Sequence, residues 1–90
     1  MQADRAKILR MLKTARGQMD GIVRMVEEDR YCIDISNQLM AIESLVAKTN
    51  ATVLKAHIAG CVRSACHCGT DAERDEKLLE VEDVIDKLSR

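Results

Sequence analysis

Apolar residues recur along the chain at alternating spacings of three and four. The first series is Ile8, Leu12, Ala15, Met19, Ile22 and Val26. The second runs Ile35, Leu39, Ile42, Val46, Thr49, Val53 and Ala56, and the third is Leu78, Val81, Ile85 and Leu88. Residues three and four apart share one face of a helix, so this is the seam spacing of packed or coiled helices. No segment alternates with period two over a useful length, and the pattern predicts an all-α chain without strands.

With no proline in the sequence, helix ends must be read from other residues. The polar run Glu27-Glu28-Asp29-Arg30 marks a first break, with Asp29 as an N-cap for the second helix. Gly69-Thr70-Asp71 marks a second break. Gly69 can end a helix, and Thr70 or Asp71 can cap the next, with Glu73 completing a capping box. Helices of roughly 4–28, 31–66 and 71–88 are expected, the middle one long, within a single domain spanning residues 1–90.

Composition adds a constraint on size. Of the 90 residues 47% are apolar, but one Tyr is the only aromatic, so the core must be aliphatic. A helical chain this small buries too little by itself, and oligomerisation is the expected source of further core. No apolar run approaches the roughly 20 residues needed to span a bilayer, and the start does not resemble a signal peptide. A cytoplasmic protein without a membrane partner is expected. In a reducing compartment, four cysteines argue for metal or redox chemistry over structural disulfides.

The net charge of −1 conceals a segregation. Residues 1–25 hold Arg5, Lys7, Arg10, Lys13, Arg16 and Arg24 against Asp4 and Asp20, a balance of +4. Residues 71–90 hold eight acids against four bases. An anionic partner for the N-terminal part would explain this, as would an ordinary solvated helix face.

The stretch KAHIAGCVRSACHCGT, residues 55–70, concentrates both histidines and three of the four cysteines. His57 and Cys61 are four apart, one turn above each other on one helical face, so both can donate to one ion. A small buried cysteine beside a surface histidine gives the same spacing. Cys66, His67 and Cys68 crowd too closely for one face. Positions 66 and 68 lie about 200° apart on a helix, so sharing an ion requires fraying next to Gly69. A self-contained zinc site drawn from His57, Cys61, Cys66, His67 and Cys68 is one reading of this stretch. An exposed helix end with idle thiols is the other, and the spacing departs from the usual C-x2–4-C pairing of structural zinc.

Cys32 tests the geometry. If residues 32 to 57 form one helix, they are separated by roughly 37 Å. Cys32 then cannot meet His57 and Cys61 of its own chain, but it can meet those of a second chain running antiparallel. Two-fold symmetry would make two identical sites per dimer.

The segments R-G-Q-x-x-G-I at Arg16 to Ile22, Y-C-x-D-I at Tyr31 to Ile35 and H-x3-C at His57 to Cys61 carry a resemblance. In content, order and separation they resemble the copper-sensing transcriptional repressors of the CsoR type, within the wider CsoR/RcnR family. The resemblance extends from about Lys7 to Leu88 and implies a three-helix protomer, an antiparallel dimer and a dimer-of-dimers tetramer. It implies Cu(I) held in three coordination by Cys32 of one protomer with His57 and Cys61 of the other. Two thiolates and an imidazole without a carboxylate suit a soft ion. A Tyr and a Glu support the ligands in this branch. Tyr31 matches the first, and Glu80 the second if about three residues are inserted around Cys66, His67 and Cys68. The family binds operator DNA without a helix-turn-helix, through basic residues of its first two helices. Lys13, Arg16, Gln18 and Lys48 correspond by position, with Arg5, Lys7 and Arg10 as contributors, while Met11 stands where many relatives carry a base.

Related branches differ in their ligands. Nickel and cobalt sensors use an N-terminal His and a second His in place of Cys61, whereas this chain begins Met1-Gln2-Ala3. Formaldehyde sensors rely on an N-terminal Pro. Persulfide sensors keep the two cysteines but lack the His. The residues therefore predict a Cu(I)-responsive repressor that releases operator DNA on binding copper. A repressor with a persulfide or thiol-redox switch at Cys32 and Cys61 is the alternative, and a metal-storage or chaperone bundle a further one. The family pattern does not require Cys66, His67 or Cys68, which leaves them available as an accessory thiol or metal site. No acid–base set, phosphate loop or nucleophile–base pair appears beyond the thiol–imidazole cluster, so no enzymatic activity is expected.

Overall fold

The architecture is the all-α one that the periodicity predicts. Helix α1 spans Arg5–Glu27, α2 spans Cys32–His57 and α3 spans Asp71–Leu88. A π-helical turn over Ile58–Val62 continues α2. The computed structural model describes residues 1–62 and 69–88, with Cys61 and Val62 described by backbone alone. Among the described residues there is no strand, and no helix is long and apolar enough to cross a membrane. The chain divides into two compact units, one of Asp4–Val53 and one of Met1–Ala3 with Leu54–Arg90.

In the first unit, Asp4 starts α1 by accepting hydrogen bonds from the N–H groups of Ala6 and Lys7, which have no helical carbonyl to bond. Ile8 and Ile22 from α1 and Ile42 from α2 are buried. The start of α1 and the later half of α2 line one groove of about 630 Å³, with Ile8 and Leu12 facing Ile42, Val46 and Val53. That pairing of an early segment with a late one makes the two helices antiparallel. Thr49 is the one polar member of the second apolar series and is buried. Its hydroxyl donates back to the Leu45 carbonyl at 2.8 Å, so this buried polar group keeps a partner beside the groove.

The link between α1 and α2 corrects one expectation. Asp29 does not cap α2; it terminates α1. Its φ of 56° is left-handed, the Asp29 N–H donates to the Val26 carbonyl at 3.0 Å, and the Arg30 N–H donates to the Met25 carbonyl at 2.9 Å. These are the paired bonds of a Schellman motif, with Asp29 in the place that glycine usually fills. Helix α2 opens at Tyr31, whose carbonyl accepts from the Ile35 N–H at 3.2 Å. Aspartate is tolerated in the left-handed region and also favoured at N-caps, so residue type alone does not separate the two roles.

In the second unit, the cap expected at Gly69-Thr70-Asp71 forms at Thr70. The Glu73 N–H donates to Thr70 Oγ1 at 3.2 Å, and the Arg74 N–H to the Thr70 carbonyl at 3.0 Å. Asp71 pairs with Arg74 one turn on. Helix α3 packs on the Ile58–Val62 turn.

Asp29→Gly should raise the thermal unfolding midpoint. Removing the Cβ from a left-handed residue recovers roughly 1 kcal/mol, of which greater freedom in the unfolded chain returns a part. Asp29→Val should lower the midpoint, because a β-branched side chain is strained at this φ. Circular dichroism melts of the three proteins check both signs.

Candidate metal centre and nucleic-acid interface

Cys32 is the first residue of α2 and its thiol is free and exposed. Tyr31 stands just before it and is 66% exposed. His57 is the last residue of the same helix, so the two candidate ligands occupy its opposite ends. Cys61 lies within the Ile58–Val62 turn. π-Helical turns are frequent at functional sites, and this one begins directly after His57 and contains Cys61. Cys66, His67 and Cys68 lie outside the described residues.

Glu80 of α3 comes beside His57, with its Oε2 3.6 Å from His57 Nε2. Its other oxygen, Oε1, lies 3.6 Å from Lys77 Nζ. The carboxylate thus stands between an imidazole and an ammonium, with one oxygen turned to each. The His57 and Glu80 side chains are partly exposed, 32% and 45%. With Nε2 turned toward the carboxylate, Nδ1 is the ring nitrogen left for a further partner.

A second close approach occurs in the same unit. A Cβ on Gly60 would stand 2.5 Å from Gln2 Oε1 and 2.8 Å from its Cδ, so a larger residue here would make the flexible Gln2 side chain move off this turn. Among the described residues, no three His, Cys, Asp or Glu side chains of the chain converge to hold a metal ion.

The candidate nucleic-acid residues share one property. Arg5, Lys7, Arg10, Lys13, Arg16 and Gln18 on α1 and Lys48 on α2 are all exposed. Among the described residues the ion pairs are Arg30–Glu28, His57–Glu80, Arg74–Asp71 and Lys77–Glu80. None uses a cation of α1 or Lys48, so that charge is not neutralised by pairing among the described residues.

The family model for metal-sensitive transcriptional repressors matches residues 4–87. The chain belongs to that family. It is 39% identical over 72 residues to the copper-sensing transcriptional repressor CsoR of Mycobacterium ulcerans, covering 80% of this chain and 62% of that relative. It therefore spans less than two thirds of that relative's length. With the copper-sensing transcriptional repressor RicR of Mycobacterium tuberculosis it shares 39% identity over 80 residues, 88% of this chain and 81% of the other. The crystal structure of the copper-sensing repressor CsoR with Cu(I) from Geobacillus thermodenitrificans matches it with a TM-score of 0.86 at 33% identity. That match covers 94% of this chain and 85% of that one.

The family is one of transcriptional regulators, not of enzymes. Two features of this metal-sensitive repressor carry no motif. Lys77 is signalled only by its i,i+3 spacing to Glu80, a common pairing on any helix. The seat of Gln2 on Gly60 joins residues far apart in the sequence, and no local pattern announces it.

Proposed function

We propose that this chain is a Cu(I)-responsive transcriptional repressor of the cytoplasm, a single sensing and DNA-binding domain over residues 1–90. The metal-free form binds operator DNA as a dimer of antiparallel dimers, and copper binding releases it. One observation carries the reading: Cys32 and His57 are the two ends of a 26-residue helix in a chain that matches a Cu(I)-bound repressor over nearly its full length. At the usual rise such a helix separates its ends by roughly 37 Å, so one chain offers only parts of a site. Antiparallel pairing brings Cys32 of one copy beside His57 and Cys61 of another.

The donor set fits the ion. Two soft thiolates joined by an imidazole suit Cu(I), and three coordination leaves no need for a carboxylate. Glu80 then acts on His57 instead of on the metal, favouring the tautomer with Nε2–H toward the carboxylate and Nδ1 free. Tyr31, next to Cys32, supports the site from the other copy. Bound copper supplies bonds that join two chains at this place. Cys66, His67 and Cys68 stay outside the ligand set as an accessory thiol or metal site.

Assembly has physical support in the seam residues. Leu12, Met19 and Val26 on α1 and Leu39 and Val46 on α2 follow the apolar period yet remain exposed in the single chain. Covering them supplies the core that a protomer of this size lacks. The cations of α1 and Lys48, which form no ion pair among the described residues, suit phosphate contacts.

Release requires only that copper bind the DNA-incompetent arrangement more tightly than the other. A differential of about 5.5 kcal/mol moves a two-state balance from 1:99 to 99:1.

Fluorescence anisotropy with operator DNA checks this directly. Cu(I) should weaken binding, and Cys32→Ala or Cys61→Ala should keep the metal-free affinity while losing the copper response. A variant that still dissociates with copper shows that the site is misassigned. His57→Ala should also lose the response, whereas a persulfide switch would survive that substitution. Lys13→Ala or Arg16→Ala should reduce the slope of log affinity against log salt by about 1 and leave copper binding intact. A storage or chaperone bundle would show no salt-sensitive DNA binding at all.

A further inference from the structure

We propose that Lys77 is a positioning and specificity-determining residue of the candidate metal centre, holding the Glu80 carboxylate toward His57 and favouring a monovalent over a divalent ion. The inference rests on the Cys32, His57 and Cys61 reading given above. It starts from how the two oxygens of Glu80 divide between partners. Oε1 faces Lys77 Nζ and Oε2 faces His57 Nε2, each at 3.6 Å. Because the contacts use different oxygens, Lys77 does not compete with His57 for the carboxylate. It fixes the rotation of the carboxylate that His57 meets. Lys77 reaches Glu80 along one face of α3 by its i,i+3 spacing, and Lys87, the other lysine of that helix, pairs with no acid among the described residues.

Charge gives the arrangement its direction. Two thiolates and a neutral imidazole around a monovalent ion leave a net charge of −1, and around a divalent ion they leave zero. Glu80 adds another negative charge against His57, which the monovalent assembly repels and the divalent one does not. A cation at Lys77 offsets that repulsion only where it exists. It therefore raises affinity for Cu(I) relative to Zn(II). For side chains this exposed the effect of one such charge is modest, about two- to tenfold, and it shrinks as salt screens it. Orientation adds a part common to both ions, because a carboxylate held at Nε2 keeps Nδ1 unprotonated and available, so the preference between ions comes from the charge alone.

Full-length wild type, Lys77→Met, Lys77→Arg and Cys32→Ala would be compared, with helicity checked by circular dichroism. Chelator competition measures Cu(I) and Zn(II) affinities at low and high salt, and nitrogen-15 NMR of the metal-free protein reports the His57 tautomer. Lys77→Met should lower the Cu(I)-over-Zn(II) preference by roughly threefold, more at low salt than at high. It should also reduce the Nε2–H fraction of His57 before any metal is added, and Lys77→Arg should restore both. An unchanged preference together with an unchanged tautomer overturns the proposal. So does an equal loss for both ions that salt does not alter, which is what a merely structural lysine would give. If Cys32→Ala binds Cu(I) as wild type does, the shared-site reading has failed and this inference falls with it.

Discussion

A single long helix cannot bring its own ends together, and the proposed sensing site depends on that constraint. Helix α2 begins at Cys32 and ends at His57. On the shared-site reading, the soft ligands one protomer carries are divided between two places, and assembly completes the site. Recognition of the ion then depends on how two chains pair, which lets a small ion alter a quaternary arrangement. A site closed within one chain would have no such leverage, because a ligand shifts an equilibrium only by its differential affinity for the two states.

The packing obeys a related constraint. Among the described residues the single chain buries few side chains, Ile8, Ile22 and Ile42 prominent among them, and leaves much of its apolar seam in contact with solvent. Sensing and folding thus draw on the same helix faces in the proposed assembly. The basic helix α1 starts at Asp4, whose carboxylate caps it, while the three residues before Asp4 belong to the unit that carries His57 and Cys61. The first DNA-contacting candidates are therefore joined through a few residues of backbone to the unit that holds two of the candidate ligands.

Much of the fold was legible from the residues. Three apolar series at helical spacing announced three helices, and Thr70 with Glu73 announced the start of the last, because a hydroxyl three residues before an acid satisfies a free N–H in a way local sequence encodes. Asp29 misled for the converse reason: one residue type serves two backbone conformations, and only hydrogen-bond register separates them. The π-helical turn that carries Cys61 left no sign in the spacing, since residues four apart fall on nearly one face in either helix. Cys32, His57 and Cys61 were visible as ligand types. The approach of Glu80 to His57 was suggested only by family resemblance, because it depends on how α3 meets the chain before it. Lys77 was invisible, since lysines three residues from glutamates are ordinary on exposed helices and only the third partner, His57, makes this one distinctive.

The central claim is that the metal site is shared between copies, and subunit mixing tests it most directly. Cys32→Ala and Cys61→Ala proteins would be unfolded together, refolded, and titrated with Cu(I) beside each variant alone. The account predicts that neither variant binds copper tightly by itself. The mixture should regain tight binding, because each mixed dimer holds one intact site made of Cys32 from one copy with His57 and Cys61 from the other. A mixture that binds no more copper than its separate components would contradict the account, since a site closed within one chain cannot be rescued by a neighbour.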